Sequence, residues 1–453
     1  MVTMVKSKTA RHLALEALHR IETKGEFAKR AIEDAFDNPL SPEDKSLVME
    51  IVYGVLRHRR KLDWIIEAQA ERDIETIDPF VRNNLRMGAY QILFLDRIPE
   101  WAAVDESVEL VHRILRTKVY GHAGVAGFVN AILRNIIRNK EGISYPSIED
   151  DPVLHISVSY SHPEWLVRRW VKRFGIDETI SLCKSNNEIP PLTLRTNSLL
   201  ISREELLYAL REEVEDAEAS NLSPYSIRIK GFPHITELKS YKKGYFQIQD
   251  EGAQLIAPML DPKKGERILD ACAGPGGKST HIAEIMGNNG EITALDIDDR
   301  RLRLLRENIE RLGIKIIKVL KADATEDISH LGKFERILVD APCSDLGVLR
   351  RHPEGKWRKK EGMIKEFQRI QSAILKSVSS LLKQGGKMVY CTCSTEPEEG
   401  EHVIESFLKE NPDFYLDDPS SNLTAGVMNK GFLRVYPHIH GTDGFFAAKI
   451  GSI

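Results

Sequence analysis

The sequence shows no excess of charge of either sign: 64 lysines and arginines stand against 67 aspartates and glutamates, a formal net charge of −3 over 453 residues. A globally basic, polyanion-coating protein is excluded. Any nucleic-acid contact must come from local clusters such as Arg57-His58-Arg59-Arg60-Lys61 or Arg350-Arg351-His352, and runs of this kind are more often a solvated face. Cysteine is scarce as well. Five in 453 residues are too few for a disulfide framework, so a reducing, cytoplasmic setting is expected, with thiols available for chemistry. No apolar run approaches the roughly 20 residues of a membrane span, and no membrane partner is expected. Met1–Arg11 carries charges without the apolar stretch of a signal peptide. With 42% hydrophobic and 29% charged residues, what remains is an ordinary globular composition, long enough for two or three domains.

The first 140 residues read as helix almost throughout. Leu13, Ala17, Leu18 and Ile21 recur at helical spacing, as do Leu47, Ile51, Val55 and Leu62. Ser41-Pro42-Glu43-Asp44 has the order of a helix start, a cap followed by proline and then acids. An all-α domain is expected, ended by the Ser-, Pro- and acid-rich stretch Glu141–Pro152. Residues 152–245 mix patterns: Trp165–Phe174 is helix-like, Leu192–Arg195 strand-like, and Ser202–Glu213 helical again. A small α+β subdomain is expected there.

From 246 to 453 apolar strands alternate with amphipathic helices. Strand candidates are Arg267–Ala271, Glu291–Asp296, Ile314–Lys321, Arg336–Asp340 and Lys387–Thr392. The helix between the second and third carries a one-sided stripe, Leu302, Leu305, Ile309 and Leu312. Such alternation predicts right-handed βαβ units and a doubly wound parallel sheet. Phe432–Pro437 and Gly444–Ile450 read as a hairpin that closes the sheet antiparallel.

In an open α/β sheet ligands bind beyond the carboxyl ends of the strands. The first candidate strand runs into Asp270-Ala271-Cys272-Ala273-Gly274-Pro275-Gly276-Gly277-Lys278-Ser279-Thr280, whose glycines let a ligand approach the backbone before a helix begins. The second ends in Asp296, suited to accept from two ribose hydroxyls, and the third in Asp323, suited to an adenine amino group. Together they outline an adenosyl site. Two other nucleotide sites share parts of this pattern. Gly277-Lys278-Ser279 resembles the end of a phosphate-binding P-loop and Ile337-Leu338-Val339-Asp340 its acidic strand, but the glycine needed five residues before Gly277 is Cys272. The dinucleotide fingerprint fails where its third glycine would fall, at Ser279.

The fourth and fifth strands end in cysteine loops, Asp340-Ala341-Pro342-Cys343 and Cys391-Thr392-Cys393-Ser394. A cysteine is commonly just a small buried apolar residue, and Cys183 is read that way. A metal centre of Cys272, Cys343, Cys391 and Cys393 lacks the paired C-x-x-C knuckles of zinc sites, and no metal is expected. Two cysteines at neighbouring strand ends beside a methyl-donor site suit a different chemistry. Carbon 5 of cytosine is a poor nucleophile, and addition of a thiolate to carbon 6 turns the ring into an enamine that is nucleophilic at carbon 5. The target nucleotide must then be flipped or unpaired.

Read together, these residues resemble the Sun/Fmu-type (RsmB-like) family of ribosomal RNA cytosine-5 methyltransferases. The likeness rests on the glycine loop with its lysine, the Asp340–Cys343 and Thr392-Cys393-Ser394 loops, and the terminal Asp443-Gly444-Phe445-Phe446; Leu194-Arg195-Thr196-Asn197 extends it into the middle subdomain. The family usually has alanine where this chain has Gly274, and the smaller residue is expected to leave the cofactor site intact. The resemblance implies a Rossmann-like class I domain using S-adenosylmethionine, with Cys272, Ala273, Gly274, Pro275, Gly276, Gly277, Lys278, Asp296, Asp323 and Asp340 at the cofactor. It implies Cys393 as nucleophile, Cys343 in product release, and Asp340 also at the cytosine edge. Residues 1–145 resemble the antitermination factor NusB, through Val104-Asp105-Glu106-Ser107-Val108-Glu109-Leu110 and Gly127-Phe128-Val129-Asn130-Ala131-Ile132-Leu133. The expected layout is thus a NusB-like RNA-binding domain (1–145), a small RRM-like subdomain (152–245) and a catalytic domain (246–453). Small-subunit (16S) ribosomal RNA is the expected substrate. Transfer RNA, and a non-catalytic role in ribosome assembly, are alternatives.

Overall fold

The computed structural model describes residues 8–115, 122–230, 235–419, 423–424 and 426–453; most of the stretch read above for a leader, residues 1–7, lies outside them. The chain forms two compact units, Met1–Glu188 with Leu349–Arg358, and Ile189–Val348 with Lys359–Ile453. No helix among the described residues is long and apolar enough to cross a membrane.

The first unit is helical: α1 (Ala10–Lys24), α2 (Ala28–Phe36), α3 (Pro42–Ala70), α4 (Pro79–Phe94), α5 (Glu100–Leu115), α6 (His122–Asn139), α7 (Pro152–Ser159), α8 (Glu164–Phe174) and α9 (Ile176–Asn187). The helix start read at Ser41 is present, with its hydroxyl accepting from the Asp44 amide at 3.1 Å and Pro42 in the first turn. Leu13, Ala17, Leu18, Ile21, Ile51, Val55 and Leu62 are buried together, which joins α1 to α3.

The basic run on α3 is not a free face. Five consecutive residues point to every side of a helix that is packed on several sides. Arg57 is buried, His58 stacks on Phe94 at 4.3 Å, and Arg59 pairs with Glu22 at 3.1 Å. Arg60 lies near Glu67 and Glu164, and Lys61 sits over Tyr145. The same Glu22 serves buried Arg86, which Asp63 also holds with bonds of 2.6 and 3.0 Å.

The second basic cluster is used internally only in part: His352 is exposed and Arg351 half-buried. Leu349–Arg358 folds with the helices, Arg350 is buried, and Glu354 accepts from the Ala28 amide at 3.1 Å. Lys356 is fully enclosed and donates to the Arg57 and Ser161 carbonyls and to Asn187 Oδ1. Burial pushes its ammonium down to about 7.

The second unit holds two sheets. The smaller is antiparallel and consists of β1 (Leu192–Thr196), β2 (Asp216–Ala219), β3 (Ser226–Lys230) and β4 (Phe246–Ile248) in the order β2-β3-β1-β4. The helix Arg203–Leu210 beside it opens on a reciprocal capping box between Ser202 and Glu205. The larger sheet contains β5 (Arg267–Asp270), β6 (Glu291–Asp296), β7 (Ile317–Lys321), β8 (Phe334–Asp340), β9 (Leu382–Thr392), β10 (Phe414–Asp417), β11 (Met428–Asn429), β12 (Phe432–Val435) and β13 (Phe445–Ser452). Its order is β11-β12-β13-β9-β8-β5-β6-β7, with β10 also on β13. The stretch from β9 to β7 is parallel, and β13 joins β9 antiparallel, as read for the tail.

Central strands covered on both faces carry unbroken apolar runs; Ile337, Leu338 and Val339 of β8 and Met388 to Cys391 of β9 are all buried. The chain leaves β5 in one direction to β6 and β7, and in the other to β8 and β9. The switch point therefore falls between β5 and β8, where such sheets open a crevice.

Candidate active site

The carboxyl ends of β5, β6, β8 and β9 converge on one loop cluster. The loop after β5 turns sharply: Gly274 has φ +54° and Gly276 φ +89°, a region costly to side-chain-bearing residues. At Gly276 a Cβ would also meet Leu305 Cδ1 at 2.1 Å, so the stripe of the following helix Asp299–Arg311 packs directly beneath the turn. A Cβ at Gly274 would meet only Asp296 Oδ2, at 3.9 Å, so there is open space above that position. The loop leads into the helix Gly277–Ile285.

Asp296, at the end of β6, is buried and accepts from the Gly274 amide through Oδ2 and from the Asp298 amide through Oδ1, both at 2.8 Å. It therefore holds the glycine loop as well as offering its remaining lone pairs. Asp323, beyond β7, accepts from the Thr325 amide and hydroxyl on Oδ1, and no hydrogen bond engages its other oxygen among the described residues. Lys278 donates to Asp340 Oδ2 at 2.7 Å. Burial alone would lower the Lys278 pKa, but Asp340 together with the neighbouring Cys391 and Cys393 more than offsets it and holds the ammonium above its usual range.

Asp270, buried at the end of β5, accepts from Ser279 Oγ at 2.5 Å. Burial, with Asp340 adding to it, pushes its carboxyl up to about 7. The half-buried Cys272 thiol is driven well up by burial and then by Asp270, Asp340, Asp296 and Asp323. Four acids thus surround Cys272 with a single lysine among them. A cationic ligand carrying hydroxyl and amino donors fits such a donor set.

At the ends of β8 and β9 the register pairs Asp340 with Cys391. The loops beyond bring Cys343 Sγ and Cys393 Sγ to 3.2 Å. Asp345 Oδ1 lies 3.1 Å from Cys393 Sγ and 3.6 Å from Cys343 Sγ, while its Oδ2 pairs with Lys359 at 3.2 Å. The hydrogen bond with Cys343 and burial, then the charges of Cys343 and Asp345, push the Cys393 thiol well above its ordinary range. Cys391 instead points its thiol to Asp340 Oδ1 at 3.4 Å. Among the described residues the fold does not gather the four-cysteine grouping weighed from the sequence; it gathers Cys343, Asp345 and Cys393.

Sequence reasoning missed Asp345 and a second acid, Glu399. Asp345 sits two residues past Cys343, in the left-handed region at φ +58°, and nothing in its neighbours marks it. Glu399 is fully buried. Its carboxylate accepts from the Ser344 amide at 2.8 Å, the Ser394 hydroxyl at 2.5 Å, the Ser344 hydroxyl, and Gln371 Nε2 at 3.2 Å. Each serine directly follows one of the paired cysteines, so one buried carboxylate ties both loops together. The smaller sheet also reaches the site. Arg195 of β1, fully buried, donates to Glu284 at 2.6 and 3.1 Å, to Thr280, and to the Gly277 carbonyl that opens the loop helix.

Comparison with known proteins bears on these positions. Residues 257–451 match the family model described as 16S rRNA methyltransferase RsmB/F. Residues 8–138 match the NusB family, and 162–236 the ferredoxin-like domain of RsmF/B-like methyltransferases. The chain is 37% identical over 458 residues to "Probable ribosomal RNA small subunit methyltransferase B" of Bacillus subtilis, covering 98% of this chain and 99% of that one. It is 34% identical to "Ribosomal RNA small subunit methyltransferase B" of Klebsiella pneumoniae, covering 99% of each. The crystal structure of PH0851 superposes with a TM-score of 0.81 at 29% identity, over 97% of this chain and 98% of that one. NSun6 from Pyrococcus horikoshii, solved with SFG, gives 0.59 at 27% identity over 64% of this chain and 98% of that one. The chain belongs to the ribosomal RNA small subunit methyltransferase B family, built of a NusB domain, a ferredoxin-like subdomain and a Rossmann-like methyltransferase domain.

Proposed function

We propose that this protein methylates carbon 5 of a cytosine in small-subunit ribosomal RNA, using S-adenosylmethionine and a covalent cysteine–cytosine adduct. The observation that carries this reading is the pair of thiols, Cys343 and Cys393, 3.2 Å apart at neighbouring strand ends. The acids surrounding Cys272 support the cofactor: a sulfonium and an ammonium suit their negative field, and ribose hydroxyls and an adenine amino group suit Asp296 and Asp323. S-adenosylmethionine supplies the electrophilic methyl group. The loop Cys272 to Lys278, with Asp296, Asp323 and Asp340, holds it.

Cys393 is the nucleophile. Its proton passes to Asp345, whose Oδ1 stands 3.1 Å away, as sulfur bonds to carbon 6 and the ring electrons shift towards carbon 5. Asp340, steadied by Lys278, faces the cytosine edge. After methylation the carbon 5 proton is lost to solvent, its electron pair restores the carbon 5–carbon 6 double bond, and the carbon–sulfur bond breaks with assistance from Cys343, the freed Cys393 sulfur recovering its proton from Asp345. Residues 1–145 act as the RNA-binding module, 152–245 as the small subdomain and 246–453 as the catalytic part. Near-complete coverage of relatives named for ribosomal RNA favours that substrate over transfer RNA.

The test is a denaturing gel with labelled RNA. Cys393→Ala is expected to lose both turnover and covalent attachment, because no enamine forms without addition at carbon 6. Cys343→Ala is expected to methylate once and stall, leaving a slow-migrating protein–RNA band. The opposite pattern would exchange the two roles, and normal methylation with no adduct in either variant would defeat the covalent reading.

A further inference from the structure

Cys343, Asp345 and Cys393 form a three-donor cluster whose ligand atoms all lie within 4.8 Å of one another. We infer that this cluster is also a binding site for one soft divalent cation, Zn²⁺ or Cd²⁺, and that occupation of the site silences the thiols reversibly.

The geometry suits it. The three contacts, 3.2, 3.1 and 3.6 Å, outline one triangular face. A zinc ion takes thiolate at about 2.3 Å and carboxylate at about 2.0–2.2 Å, which places two sulfurs in a tetrahedral set about 3.7 Å apart. The observed sulfurs need to separate by only about half an ångström to reach that spacing, a movement within the reach of a χ1 adjustment.

The donors are also held. Both thiols extend from strand-end loops tied through Ser344 and Ser394 to Glu399. Asp345 stands in a left-handed backbone conformation with Oδ1 towards the sulfurs and Oδ2 paired with Lys359.

Charge closes as well. Two thiolates and a carboxylate carry three negative charges, and a divalent ion with Lys359 supplies three positive ones. Two sulfurs and one oxygen leave the fourth position open to water, the arrangement of three-ligand zinc sites. Thiolate donors select zinc and its softer congeners over magnesium or calcium. Binding exchanges two S–H bonds for two metal–sulfur bonds and releases two protons to solvent. The same sulfur cannot then add to carbon 6, so the ion and the covalent adduct exclude each other.

Calorimetry of the full chain, reduced and freed of metal with EDTA, is the test. One Zn²⁺ per chain is expected to bind, with binding lost in Cys343→Ser and Cys393→Ser and weakened about 100-fold or more in Asp345→Ala, more than the loss of an outer-shell partner costs. Absence of binding to the native chain, retention in the serine variants, or unchanged affinity in Asp345→Ala would each overturn the site. A second measurement needs no variant: alkylation of the native protein, read peptide by peptide. Zn²⁺ should protect Cys343 and Cys393, and alkylation of both at an unchanged rate would refute the proposal. These readouts do not depend on methyl transfer, so the metal site and the cytosine reading fail or stand separately.

Discussion

Replacing Glu399 tests whether one buried carboxylate sets the spacing of the two cysteine loops. Glu399→Ala removes the acceptor of four hydrogen bonds. The Ser344 and Ser394 hydroxyls already lie 3.2 Å apart and can pair with each other. Gln371 Nε2 keeps its bond to the Pro342 carbonyl at 2.9 Å. The donor left orphaned is the buried Ser344 amide, and an unsatisfied buried group costs about 1–3 kcal/mol. Burial raises the Glu399 pKa, so removing the desolvated carboxylate returns part of that cost. A net loss of about 1–2 kcal/mol is expected, and a melting point lower by a few degrees. The catalytic loss should be larger, because a misplacement of about 1 Å in a reacting group lowers the rate on the order of 100-fold. Single-turnover methyl transfer is therefore expected to fall on the order of 100-fold while cofactor affinity stays unchanged. Glu399→Gln, which keeps the shape and one acceptor oxygen, should restore most of the rate. An alanine variant that is folded and turns over at the native rate would refute the clamp.

Asp296→Ala should weaken S-adenosylmethionine binding on the order of 10- to 100-fold by calorimetry, the worth of a charge-assisted hydrogen bond of roughly 1.5–3 kcal/mol; unchanged affinity would displace the ribose from this acid. Asp270 has its pKa raised to about 7 in the fold. Its contribution to stability is therefore fully present below the unfolded carboxyl value of about 3.9 and is lost as pH rises through 7. Denaturant unfolding of the cofactor-free protein should show native stability falling relative to Asp270→Asn between pH 4 and 7, by up to roughly 4 kcal/mol; parallel profiles would refute the shift. Lys356→Met leaves two carbonyls and an amide oxygen without their donor and should destabilise the helical unit by about 2–4 kcal/mol, measured by hydrogen exchange in α3 and α9; native protection would show the lysine is dispensable.

What was legible in the sequence was local. The stripe Leu302, Leu305, Ile309 and Leu312 is a periodicity, and the structure buries three of the four and packs Ile309 against them. The cap at Ser41 and the cysteine loops are likewise short-range signals. The basic run at 57–61 misled because two of its acidic partners are distant in the chain: Glu22 comes from α1 and Glu164 from α8, while Asp63 is a neighbour on α3 itself. The same holds for Lys356, whose acceptors come from α3, the turn after α7, and α9. No pattern around Glu399 announces two serines 55 and 5 residues away, and Asp345 becomes meaningful only once the β8–β9 pairing is known.

That pairing explains why the thiols meet at all. The parallel ladder sets Asp340 opposite Cys391, and the Ala341 amide donates to the Cys391 carbonyl at 2.9 Å. Cys343 and Cys393 therefore leave neighbouring strands almost level. A slip of one residue would reverse the face of every side chain beyond it and separate the sulfurs. The register is then pinned from outside the strands. The Gly347 amide donates to the Cys393 carbonyl at 2.9 Å, and the Gly444 amide to the Gly347 carbonyl at 2.8 Å. A Cβ at Gly347 would meet the Gly444 oxygen at 2.2 Å, and one at Gly444 would meet Gly347 Cα at 2.9 Å, so only glycine at both positions lets the three segments close. The Asp443-Gly444 signature near the C-terminus lies far from the cysteines in sequence, yet its physical role is to hold the loop that carries Cys343 against the strand that delivers Cys393.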